Sequence, residues 1–206
     1  MSRNGNQNLS IQKSKVLVVE GKDEVILFGA ILKVLRLHDG VQIFDTKGKT
    51  RFPEFMDGFA RHADFSIVKS IGVVQDADED ASGRFQSVCS KMKELKISVP
   101  SSPGVFIDGE THRVGVFITP NNSDVGCLET TVLRAIADKD WMPCVDTFKD
   151  CVAANGGKSF SIKDVARAAM IALDASEHHM GRAAEAGKFD FEHAAFTEIS
   201  SFLKSL

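Results

Sequence analysis

The sequence predicts an α/β protein built on a mostly parallel sheet flanked by helices. Three observations carry that expectation: short, almost wholly apolar runs rich in β-branched residues, helical apolar stripes alternating with them, and acids standing just past two of the runs. An apolar run without polar alternation suits a strand buried on both faces, and parallel sheets bury both faces.

Lys15-Val16-Leu17-Val18-Val19 is the first such run and ends in Glu20-Gly21. Val25, Phe28, Leu32 and Leu35 then recur at helical spacing, with Asp23 and Glu24 in the opening turn, where the helix dipole favours acids. Val41 to Phe44 reads as a second strand, and Phe52, Phe55, Met56 and Phe59 as a second helix with Pro53 in its first turn. A third strand, about Ile67 to Val74, delivers Gln75-Asp76-Ala77-Asp78-Glu79-Asp80, after which Phe85, Val88, Cys89, Met92 and Leu95 stripe a third helix. Two strands around the Asp108-Gly109 turn signal follow, one of them extending the sheet antiparallel. A helix from about Cys127 to Ala137 precedes a less regular stretch through Pro143 and the Asn155-Gly156-Gly157 loop. Ser161-Ile162-Lys163-Asp164 has the form of a capping box opening a helix with Ile162, Val165, Ala166, Ala169 and Leu173 on its apolar stripe. An amphipathic helix near Glu192 to Leu203 closes the chain. The expected organisation is a flexible start over 1–14, an α/β core over 15–125, and a helical C-terminal extension over 126–206 packed on the same core.

Composition narrows the function. A chain of 206 residues with 43% hydrophobic content buries a sizeable core. A formal charge of −3 supplies no global basic field, which argues against a bulk coater of DNA and leaves nucleic-acid contact to a local patch. The four cysteines make none of the close pairs that zinc sites use, so they read as reduced thiols of a cytoplasmic protein. No apolar stretch approaches the roughly 20 residues of a membrane span, and the polar start lacks a signal peptide's apolar middle. The expectation is a cytoplasmic protein without membrane contact.

In a parallel sheet the carboxyl ends of the strands share one edge, and ligands bind in the crevice there. Glu20 and the Asp76 to Asp80 run both follow buried strands, so both are expected at that crevice. Clustered acids repel unless a cation or solvent neutralises them, and a hard cation with oxygen ligands is the natural partner. An EF-hand beginning at Asp76 fails, because its sixth and twelfth places hold Ala81 and Ser87. A solvated helix-leading turn is the competing reading, which the matching Glu20 disfavours. Glu20 pointing away from Asp76 and Asp78, or a lysine or arginine neutralising them in the cation's place, would end that reading.

Lys47, Lys49 and Arg51 alternate just beyond the second strand, beside the same edge, as candidate phosphate contacts; a solvated loop is the alternative. Lys22, in the Glu-Gly turn, either touches phosphate or offsets its acidic neighbours. Gly157-Lys158-Ser159 lacks the upstream glycine of a phosphate-binding loop, with Val152 in its place. His178-His179 reads as a helix terminus, and the face of Phe52, Phe55 and Phe59 as core.

Val18-Val19-Glu20-Gly21-Lys22-Asp23-Glu24 resembles the strand and Glu-Gly turn of Toprim domains, and Val73-Val74-Gln75-Asp76-Ala77-Asp78 resembles their Asp-x-Asp motif. Those domains occur in topoisomerases, bacterial primases, ribosomal-RNA maturases and overcoming-lysogenization-defect nucleases. The resemblance covers residues 15 to 120, and the segments 104–133 and 163–206 extend it toward a small uncharacterised Toprim-like family. It implies a Toprim-like, Rossmann-like fold, with Glu20 as general base, general acid or metal ligand and Asp76 and Asp78 as ligands of Mg²⁺ (or Mn²⁺), supported by Asp80. Glu24 matches a second carboxylate of the nuclease branch, or is a dipole-favoured helix opener. Glu129 matches the second-metal glutamate of those nucleases, or lies on a solvated face. A lysine from the C-terminal part completes their site, for which Lys163 is the match and Lys158 the substitute; surface placement is the alternative for each.

The sequence contains no tyrosine, which excludes a self-contained topoisomerase acting by tyrosyl attack. No paired cysteines precede the first motif, which argues against a primase. The expectation is a Mg²⁺-dependent nuclease, or related phosphodiester hydrolase, acting on DNA or RNA; the alternative is a non-catalytic nucleotide- or nucleic-acid-binding subunit. A structural protein whose acids solvate a turn is the third reading, and a protein partner or homodimer is left open.

Overall fold

The apolar runs lie side by side in the computed structural model, which describes residues 9–173 and 179–206. β1 (Lys15–Val19), β2 (Val41–Asp45), β3 (Ser70–Asp76) and β5 (Arg113–Thr119) run parallel, and β4 (Phe106–Asp108) closes one edge antiparallel to β5. The strand order is β2-β1-β3-β5-β4, a mostly parallel α/β sheet as expected. The β4–β5 hairpin pairs Phe106 with Gly115, where a Cβ would come within 2.7 Å of the Phe106 ring.

Side chains alternate across each strand, so the doubly apolar runs feed two cores. Val16, Val18, Ile71, Val73, Val116 and Ile118 face α2 (Phe52–Ala60) and α3 (Ala81–Glu94). Leu17, Val19, Val74 and Phe117 face α1 (Lys22–Val34) and the C-terminal helices. Those are α4 (Leu128–Ala135), α5 (Met142–Ala154), α6 (Ile162–Ala172), α7 (Met180–Glu185) and α8 (Thr197–Ser205). The extension shares its core with the sheet: α7 lies on α1, and the Gly181 N–H donates to Asp23 Oδ1 at 2.9 Å.

Three helices differ from expectation, the closing one by starting at Thr197, after a 3₁₀ turn over Ala194–Phe196, and not near Glu192. α5 replaces the less regular stretch at Pro143; the proline sits in the first turn, where its missing N–H costs nothing, and of the helix Val145 is buried while Phe148 stays exposed. α7 carries small buried residues, Gly181, Ala183 and Ala184, in place of a large apolar stripe. The third strand begins at Ser70, after a 3₁₀ turn over Ala63–Ile67, and Ser161 caps α6 in the expected box with Asp164. Of the flexible start over 1–14, residues 1–8 lie outside the described residues. Ile11 is buried, and the Gln12 and Lys13 amides donate to Gln42 Oε1 at 2.8 and 3.2 Å, so the ordered chain begins before β1. His178 also lies outside the described residues, and His179 holds the N-cap position of α7. Among the described residues, no helix is long and apolar enough to cross a membrane.

Candidate functional site: an acidic cluster at the sheet edge

β1 and β3 are neighbours in the sheet, and their carboxyl ends bring the two acidic segments together. Glu20 Oε1 accepts the backbone N–H of Asp76 at 3.1 Å. The turn holding Glu20 is tied to the next crossover, where the Gly48 N–H donates to the Glu20 carbonyl at 2.7 Å. Glu24 is in the first turn of α1, and its carboxylate folds back over Gly21, whose added Cβ would lie 3.0 Å from Glu24 Oε2.

Asp76, only 6% exposed, ends β3 opposite Thr119 of β5. Its Oδ1 accepts the Thr119 hydroxyl at 2.5 Å and the Leu128 N–H at 3.0 Å, so the opening of α4 is fastened to this carboxylate. That geometry brings Glu129 and Cys127 beside it: ligand atoms of Asp76, Cys127 and Glu129 all lie within 4.8 Å of one another. Lys163 reaches in from α6, its Nζ 3.7 Å from Glu129 Oε1.

The electrostatics are those of acids crowded in a half-dry cleft. Burial, reinforced by Asp76, lifts Glu20 to about 7, against a lowering hydrogen bond from the Asp76 amide. Burial lifts Glu24 to about 7 as well, with Asp76, Glu129 and Asp23 adding to it. Asp76 is raised by burial, which outweighs its bonds from Thr119 and Leu128. Burial and Glu129 push the Cys127 thiol up to about 12. Burial lowers Lys163, but Glu129 and Asp76 outweigh it and raise the ammonium's pKa. The carboxylate oxygens suit a hard divalent cation, whereas the Cys127 sulfur suits borderline metals.

Glu20, Glu24, Asp76, Glu129 and Lys163 therefore converge. Asp78 does not join them: with φ of +52° it turns outward, its backbone pairs with Gly126 at 2.7 Å in both directions, and its carboxylate takes Lys49 and, at 3.5 Å, Arg84. Here two basic residues stand where a shared cation was expected. Asp80 is a helix cap, its Oδ1 accepting the Gly83 N–H at 2.8 Å, because an acid placed three residues before an amide at a helix start meets that orphan donor. Lys22 and Lys47 are exposed, and Arg51 pairs with Glu54 at 3.6 Å along its own helix. Lys158 is held by Asp164 at 2.6 Å, which leaves Lys163 as the lysine of the site.

Sequence reasoning missed Cys127, Thr119 and Arg84. Cys127 is the N-cap residue of α4, two places before the glutamate that was singled out, and cysteine carries no capping signal. Thr119 became visible only through the register that sets it against Asp76. Arg84, at helical spacing after Asp80, reads in sequence as an ordinary surface residue of α3.

No curated protein matches this chain. Among solved structures, a hypothetical protein, PH0156, from Pyrococcus horikoshii OT3 is similar in fold, with a TM-score of 0.63 and 19% identity over 94% of this chain and 95% of that one. A family model matches residues 14–206, nearly the whole chain, and the chain therefore belongs to the family described as Protein of unknown function (DUF3226).

Proposed function

We propose that this protein is a Mg²⁺- or Mn²⁺-dependent phosphodiester hydrolase acting on DNA or RNA, with its reaction centre at the Glu20, Glu24, Asp76 and Glu129 cluster. The observation that carries the reading is the convergence of four acids from three chain segments at the sheet edge, Asp76 buried and the others partly buried, two of them lifted to about 7. Folding gains nothing from such a concentration of like charge, so a cation is its natural occupant. The resemblance of the Glu20 and Asp76 segments to Toprim domains points to the same chemistry.

Asp76 and Glu129 would hold the ion, with Glu20 and Glu24 in reach; a bound divalent ion offsets charge on phosphate oxygens and acidifies water. Glu20 would take a proton from an attacking water. Lys163 contributes a cation beside Glu129 that can hold a non-bridging phosphate oxygen. Thr119 and Leu128 keep Asp76 oriented.

One observation favours a second reading, a non-catalytic nucleotide- or nucleic-acid-binding subunit: Asp78, the second acid of the Toprim-like motif, is occupied by Lys49 and Arg84. The test is cleavage of single- and double-stranded DNA and RNA with Mg²⁺ or Mn²⁺, wild type beside Asp76→Asn, together with Mn²⁺ binding followed by electron paramagnetic resonance. Metal-dependent cleavage lost in Asp76→Asn is the expected result. Metal binding without cleavage of any substrate supports the binding subunit, and cleavage unchanged in Asp76→Asn overturns the proposed centre.

A further inference from the structure

Lys49, from the turn after β2, and Arg84, in the first turns of α3, converge on Asp78 and line two adjoining cavities. The larger, about 690 Å³, opens over Asp78, Glu79 and Asp80; the smaller, about 290 Å³, runs past Phe52 and Val88 to Gln75. Gln75 is only 1% exposed, and its Nε2 has no hydrogen-bond partner. The Arg84 Nε is likewise buried and without one. Buried donors are nearly always paired, so two such donors on residues that line one pocket call for an acceptor. The Asp78 carboxylate meets Lys49 and one terminal nitrogen of Arg84, both through Oδ2, and reaches neither the Arg84 Nε nor the Gln75 amide. A tetrahedral oxyanion carries enough acceptors for all of them.

We propose that Lys49, Arg84 and Gln75 form a pocket for a phosphate group, for which the Asp78 carboxylate is the built-in competitor. The acids of the larger cavity keep the anion to the smaller cavity's side of the shared rim, where Lys49, Arg84 and Ser87 stand and Gln75 lies beyond them. Lys91 adds little, being held by Asp57 at 2.9 Å and Glu94 at 3.3 Å. Phosphate entering the pocket releases Asp78, which lies two residues beyond Asp76 and becomes available to a cation there. Phosphate and metal therefore bind with positive coupling, a consequence that rests on the metal reading given above. Reciprocity requires that each tighten the other by the same factor.

The test uses the full chain with inorganic phosphate and Mn²⁺ as probes, by calorimetry, corrected for free manganese. Without metal, phosphate should bind wild type, bind about tenfold more weakly to Lys49→Met, where a charge-assisted bond is lost, and bind more tightly to Asp78→Asn, where the competitor is gone. A tightening cannot come from misfolding, so the second variant guards the first. With saturating phosphate, Mn²⁺ affinity should rise by about fivefold or more. Lys49→Met should raise Mn²⁺ affinity without phosphate more than Lys47→Met does, and should abolish the phosphate dependence. Phosphate binding that is absent, or equal in all three proteins, overturns the pocket. Mn²⁺ binding indifferent to phosphate overturns the coupling and leaves the metal centre standing. Lys49-dependent phosphate binding with no Mn²⁺ binding at all refutes the metal reading and upholds the pocket.

Discussion

Replacing Glu24 with glutamine should stabilise the metal-free protein at alkaline pH, although glutamine makes no new contact. Glu24 titrates from 4.5 when unfolded to about 7 in the fold, because burial and then Asp76 and Glu129 oppose its charge. The folded value is the higher one, so the fold favours the protonated acid. That advantage is complete below a pH of about 4.5 and is lost as pH rises through about 7. At roughly 1.4 kcal/mol per unit, the ionised carboxylate costs the fold about 3 kcal/mol above neutrality. Glu24→Gln never ionises and escapes that cost. Urea unfolding in EDTA should therefore show the variant about 3 kcal/mol more stable than wild type near pH 8, and equal to it near pH 4. In a thermal scan that gain is roughly 6–12 °C for a chain of this size. Saturating Mn²⁺ should narrow the gap, because binding stabilises wild type in proportion to the ratio of ligand to Kd. A variant no more stable at pH 8 than at pH 4, relative to wild type, would refute the picture of acids crowded in a dry cleft.

The other expectations follow from single contacts. Thr119→Val removes the hydroxyl that bonds Asp76 and leaves that carboxylate short of a donor, so stability should fall by about 1–3 kcal/mol in urea unfolding. Asp80→Ala should cost about 1 kcal/mol, as the loss of a helix cap does, and leave Mn²⁺ affinity unchanged; a large loss of affinity would make Asp80 a ligand after all. Gly181→Ala places a Cβ 2.7 Å from the Asp23 carbonyl oxygen and should destabilise by roughly 1–3 kcal/mol, read as a lowered urea midpoint. Lys163→Met should slow cleavage while tightening Mn²⁺, since it removes a positive charge from the acids; a loss of both would point to a structural role.

The sheet was legible because its evidence is one-dimensional: Lys15 to Val19 is apolar without alternation, and strand, turn and helix follow in sequence. The meeting of Glu20 with Asp76 follows from the same logic, as neighbouring parallel strands end at one edge. What the acids do there was less legible. The sequence makes Asp76, Asp78 and Asp80 look alike, yet one is buried under Thr119 and Leu128, one is salt-bridged to Lys49 and Arg84, and one caps α3. Those fates depend on which backbone amides and long basic side chains arrive from elsewhere, and periodicity carries no such information. α5 and α7 escaped for a related reason: α5 buries Val145 alone, and α7 is six residues long and buries Met180 beside glycine and alanine, so neither shows the long buried stripe of α1.

The fastening of Asp76 to the first amide of α4 has a consequence for how the protein could be divided. Glu20, Glu24 and Asp76 come from the amino-terminal part, and Cys127, Glu129 and Lys163 from the helices that follow β5. A cut after Thr119 would leave every strand in one piece while separating the acids that crowd one another. Two such fragments, each without the complete donor set, should acquire it only on reassociation, which would turn their dimerisation into a readout of metal capture.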